Sequence, residues 1–199
     1  MVGASWFGFF PMSLKIVSGA AAAALLAAAA QPALAHGDKD GVCIWDRLPK
    51  KETKAAIDAG LAGGVDAMSD HLFFADVRAA AEACGFDASD EESSDLSNAA
   101  HGLAMQKLAE AWFMTHLNIA PDRLDGAWDR MGEYDQSIFL RAMRGKRESN
   151  DSLATAENGF ETALKLTKPI DDTEAAQLQT FVTTYVSGRA LRAVYEPKL

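Results

Sequence analysis

Residues 96–117, LSNAAHGLAMQKLAEAWFMTHL, limit what this chain can fold into more than any other stretch. At helical spacing Ala100, Ala104, Leu108, Ala111 and Trp112 form one broad apolar face, and Leu103, Phe113 and Met114 put apolar groups on other sides. A helix that is apolar on most sides has to be surrounded. Alanine side chains on the wide face let neighbours approach closely, so the stretch is expected to be the central helix, about 90–118, of an all-α domain.

Residues 1–35 are set apart by their pattern. Lys15 precedes an Ala-rich apolar run, Gln31-Pro32 breaks it, and Ala33-Leu34-Ala35 places small residues where a signal peptidase reads. The expectation is a secretory signal peptide over 1–35 and a single helical domain over 36–199. Met12, just before Ser13-Leu14-Lys15, fits a conventional start better than Met1. Alanine is only weakly hydrophobic, which argues against an uncleaved anchor, so no stable membrane insertion is expected after cleavage. An Ala-rich signal without a long extension looks bacterial. The expected location is the periplasm or outside the cell.

Lys15 is the only charged residue in 1–35, so the remaining 164 residues carry a net charge of −10. That balance disfavours a phosphate-backbone binder, and nucleic acid is not an expected partner. Both cysteines lie in the remainder. In an oxidising compartment an even count predicts a Cys43–Cys84 disulfide pinning the N-terminal segment to the second helix.

Taken in order, 36–45 reads as irregular, and Pro49 fits the first turn of a helix with Asp46 as a cap, its segment 50–62 continuing until Gly63-Gly64 stops it. One helix over 65–84 follows, its Val65, Met68, Leu72, Ala79, Ala80 and Ala83 on one face and Gly85 at the left-handed closing position. Ser89 and Glu92 have capping-box spacing ahead of the central helix. Pro121 opens a helix with Leu124, Ala127, Trp128 and Met131, closed by Gly132; the next carries Ile138, Phe139, Ala142 and Met143, closed by Gly145. Residues 149–152 offer caps for a sixth helix, and Asp171 with Glu174 for a seventh. The apolar stripe Leu178, Phe181, Val182, Tyr185 of the last helix continues into Arg189 and Arg192. With no strand alternation, the expected fold is a compact bundle of about seven helices with short connections.

Candidate chemistry is sparse. Asp76 interrupts the apolar arc of the second helix, where a buried carboxylate has to be paired, hydrogen-bonded or protonated. His101 flanks the central helix's apolar face, and antiparallel packing of these two helices would bring it to Asp76 as an Asp-oriented imidazole. His36, if cleavage exposes it as the first residue, would offer its α-amino group and imidazole together to Cu(II) or Ni(II). His36, Asp76 and His101 are thus the metal-ligand candidates, with a core histidine and a rim carboxylate as the plainer readings. No ExxH, CxxCH, HExxH, GxSxG or phosphate-loop motif is present. No cofactor is implied and no family resemblance carries residues over.

The expected function is therefore non-catalytic: binding or adaptor work with a protein partner in the cell envelope. The expected contact surfaces are Arg141, Arg144, Lys146 and Arg147, and Arg189 with Arg192 at the end of the last helix. The alternative is a metal- or small-ligand-binding protein, or an enzyme, with its site near Asp76 and His101.

Overall fold

A computed structural model describes residues 41–86, 93–166, 170 and 172–198. His36, the expected signal peptide over 1–35 and the Ser89/Glu92 capping box lie outside these residues, as does Asp171 of the second box. The described residues form nine α-helices and no strand: α1 Gly41–Arg47, α2 Lys50–Gly63, α3 Val65–Ser69, α4 Phe74–Ala83, α5 Ser93–Leu117, α6 Pro121–Arg130, α7 Glu133–Met143, α8 Asn150–Leu164 and α9 Asp172–Tyr195, followed by a 3-10 turn, Glu196–Lys198. None of these helices is long and apolar enough to cross a membrane.

The fold is all-α, as the periodicity requires, with two differences in segmentation. The stretch read as irregular is helical from Gly41, because Ile44 and Leu48, one turn apart, are buried and drive it onto α4 and α5. Asp46 therefore lies inside α1 and is not a cap; α2 starts after Pro49, with Thr53 Oγ1 donating to the Lys50 carbonyl at 3.1 Å.

The expected single helix over 65–84 is two. Met68 packs into the main core, whereas Val77, Ala80 and Ala81 pack into a second cluster with Ile44, Leu48, Phe86, Leu96 and Leu103. One straight axis cannot face both. The chain turns at Asp70 and His71 and leaves Phe73 and Phe74 exposed. Two helix ends follow the glycine rule. Gly85 (φ 82°) lets Phe86 N–H reach the Ala81 carbonyl at 3.1 Å, and Gly145 (φ 75°) lets Lys146 N–H reach that of Arg141 at 3.0 Å. Gly132, by contrast, has φ −60° and begins α7 instead of closing α6.

The frame is the α5–α9 pair, which forms the most extensive contact between elements. Ala104, Leu108, Ala109, Trp112 and Phe113 of α5 meet Leu178, Phe181, Val182, Tyr185, Val186 and Ala190 of α9 in the main core, where Trp112 stacks on Phe181 with ring centroids 4.8 Å apart. α6, α7 and α8 complete that core with Leu124, Ile138, Phe139, Phe160 and Leu164. Two glycines mark a close approach of α5 to α9. A Cβ on Gly102 would sit 2.6 Å from Leu191 Cβ and 2.8 Å from the Gly188 carbonyl oxygen, and one on Gly188 would sit 2.6 Å from the Gly102 oxygen. Met114, expected among the apolar groups of this helix, is 43% exposed.

Candidate functional site

Polar side chains gather where α5 and α9 meet. Tyr185, Arg189, Arg192 and Glu196 follow one another at steps of four, three and four residues, so they share one face of α9 and its terminal turn. Gln106 and Glu110 of α5 and Asp125 of α6 lie opposite. Arg192, only 6% exposed, donates through Nε to Glu196 Oε1 at 2.6 Å and through Nη1 to Gln106 Oε1. Gln106 Nε2 donates to Glu110 Oε1 at 2.8 Å, and Lys107 Nζ donates to the other oxygen of Glu110 at 2.8 Å. At the far end Glu196 Oε1 also accepts the backbone N–H of Gly41 at 3.0 Å, which caps α1. The result is one continuous chain of charge-assisted hydrogen bonds from α1 through α9 into α5.

Beside it, the buried Tyr185 hydroxyl donates to Asp125 Oδ1 at 2.8 Å, and Arg189 Nε lies 3.4 Å from the same oxygen. Burial first, and the Asp125 carboxylate second, hold the Tyr185 phenol well above its ordinary range, so it acts as a donor and not as a base. Carboxylates here face guanidinium, ammonium, amide or phenol groups. Chemically the seam orients helices; its groups are engaged with one another except for the buried Arg189 Nε, which makes no hydrogen bond and faces the Asp125 charge at 3.4 Å.

Arg192, expected on a contact surface, is thus an internal strut: its stem continues the apolar stripe into the α5 interface and its charge is neutralised there by Glu196. Arg189 is partly buried on Asp125. Arg141 is committed as well, with Nε donating to Glu148 Oε1 at 2.7 Å and Nη1 to Ser137 Oγ at 2.8 Å. Arg144, Lys146 and Arg147 are exposed at the turn that follows α7.

Asp76 and His101 do not form the pair expected. Because the 65–84 segment breaks, Asp76 falls in the first turn of α4, where a carboxylate suits the positive end of the helix dipole. It lines an open recess of about 420 Å³ with Arg47, Pro49, Ala79, Ala80 and Ala83, and His101 is not in that wall. The carboxylate that acts on His101 is Asp66. Burial pulls the His101 imidazole below its ordinary value, and the Asp66 charge opposes this only in part. His71 is exposed, and His116 stacks on Trp112 with its Nδ1 3.1 Å from the Trp112 carbonyl oxygen. Among the described residues no group of three or more His, Cys, Asp or Glu is placed to hold a metal ion.

The depressed His101 value fixes a pH response. A group whose pKa falls on folding contributes stability that is fully present above its unfolded value, 6.5, and lost as pH drops through the folded one. Urea midpoints are expected to fall between pH 7.5 and 5.5, and His101→Gln should reduce that fall. An identical pH response in the variant would mean that His101 is not the titrating group.

Cys43 of α1 and Cys84, at the end of α4, are bonded, with Cα atoms 6.0 Å apart. Fold and site together define a disulfide-stapled all-helical protein with a buried polar seam. No protein-family model, no characterised protein and no solved structure matches the chain.

Proposed function

We propose that this is an exported, non-catalytic binding or adaptor protein that recognises an acidic protein partner of the cell envelope through the turn between α7 and α8. The observation that carries the reading is that Arg144, Lys146 and Arg147 are exposed within four residues of a chain whose net charge is −9. Gly145 and the Lys146-to-Arg141 backbone bond hold that turn in one shape. The bidentate Arg141–Glu148 contact braces its base, and Tyr134, 69% exposed on the same helix, adds an amphipathic contact group of a kind common at interfaces. Cations at a helix C-terminus also suit the dipole, but that role needs no more than the last turn, and Lys146 and Arg147 lie beyond it. Export is supported by the pattern of residues 1–35 and by the disulfide, which persists in an oxidising compartment.

Rim charges act on encounter rate and salt dependence more than on a buried core of contacts. Arg144→Glu with Arg147→Glu is expected to weaken an acidic partner on the order of tenfold, about 1.4 kcal/mol, with little change in thermal stability. Pull-downs from the cell envelope with wild-type and variant protein test this. Equal recovery of the same partner by the correctly folded variant would remove the turn as the contact surface. The intact mass of protein from its own envelope tests export, since cleavage after Ala35 fixes the expected mass.

A further inference from the structure

We infer that the Cys43–Cys84 disulfide is a redox latch on α1: a dithiol reductant that opens it releases α1 while the α5–α9 core stays folded. α1 has seven residues, too few to remain helical unsupported. Among the described residues its main attachments are these. Cys43 is bonded to Cys84, Gly41 N–H to Glu196, and Ile44 and Leu48 are buried in the second cluster. None of the fully buried residues of the main core belongs to α1, whose Trp45 only borders it. The extended backbone at Pro49 (φ −57°, ψ 121°) separates α1 from α2, so α1 has its own pivot. Burial of Ile44, of Leu48 just past the helix and of part of Trp45 works with the Gly41 hydrogen bond against the ordering cost of the segment, and the covalent bond adds to that hold.

The chemistry is an exchange in two steps. A thiolate of the reductant attacks one cysteine sulfur, the Sγ–Sγ bond breaks, and the other cysteine leaves as a thiolate that takes up a proton. The second thiol of the reductant then attacks the mixed disulfide, leaving two protein thiols and an oxidised, cyclic reductant. Both cysteines are half-buried and not sealed in the core. Once untied, α1 swings away and uncovers Val77, Ala80, Ala81, Leu96 and Leu103.

Hydrogen exchange read by mass spectrometry tests the latch on the full chain in three forms: oxidised, reduced with dithiothreitol, and Cys43→Ser with Cys84→Ser without reductant. Amides of residues 45–48 are expected to exchange on the order of a hundredfold faster in both untied forms, the effect of a disulfide of typical strength on the equilibrium it constrains. Amides of α5 and α9 keep their protection. Retained protection of 45–48 in either untied form would overturn the inference, and so would loss of protection in α5 and α9 together with α1, since the disulfide would then hold the whole fold. The Arg144/Arg147 variant leaves this exchange unchanged, which keeps the latch separable from the binding surface.

Discussion

Arg192→Ala is expected to cost about 3–5 kcal/mol of folding stability, a large share of the ~5–15 kcal/mol typical of a single domain. The substitution removes the guanidinium bonded to Gln106 and leaves the Glu196 carboxylate, which also caps α1, facing a low-dielectric interface without its cation. Breaking a buried pair from one side costs more than removing both members, because the remaining charge still carries its desolvation penalty. Arg192→Met combined with Glu196→Gln should therefore be less destabilised than Arg192→Ala alone: the amide oxygen can still accept from Gly41, and the Met side chain fills the stem's place. Chemical denaturation of the two variants decides the point. If Arg192→Ala lost less than about 1 kcal/mol, the value typical of an exposed pair, the seam would be a solvated ornament.

Gly188→Ala comes next in size. In an exposed helix interior this change gains about 1 kcal/mol of propensity, so the sign depends on what the new methyl meets. Here it meets the Gly102 oxygen at 2.6 Å and the Gln106 nitrogen at 2.8 Å, both backbone atoms of α5, which yield only if the two helices part. Overpacking of this kind costs roughly 1–3 kcal/mol, at the upper end where backbone must move, and the melting point should drop by roughly 5–10 °C in a chain of this size. Gly102→Ala should do the same. The double variant should lose less than the sum, because a single separation of α5 from α9 relieves both overlaps. Additive losses, or a stabilised Gly188→Ala, would show that the helices do not touch there.

Much of this architecture was legible in the residues. The helical periodicity of 96–117 and its all-round apolar character mark a surrounded helix, and α5 is the element against which both clusters pack. Glycines after α4 and α7 and Pro121 at the start of α6 mark boundaries because φ and the missing N–H act locally. The split at Asp70–Phe73 was not legible, since Val65 to Ala83 keep an apolar stripe in register and only the presence of two cores breaks it. Arg189 and Arg192 carried a usable signal. Cations that continue an apolar stripe belong to the interface the stripe faces, and reading them as surface groups treated charge as if it decided burial. Gln106 and Glu110 in α5 and Asp125 in α6 carried none: their positions are unremarkable within those helices, and the crossing of α5, α6 and α9 brings them to the α9 face.

What the sequence determined by itself, then, is whatever depends on near neighbours in the chain: helix type, most helix ends, an acidic charge balance and a single cysteine pair. Partnership belonged to the tertiary structure, which brought the charge of Asp66 to act on His101, Glu196 against Gly41, and Gly102 against Gly188. The reason is physical. Periodicity and capping act over one or two turns, whereas which polar group desolvates against which other depends on helix axes that only the packing of two separate cores can fix.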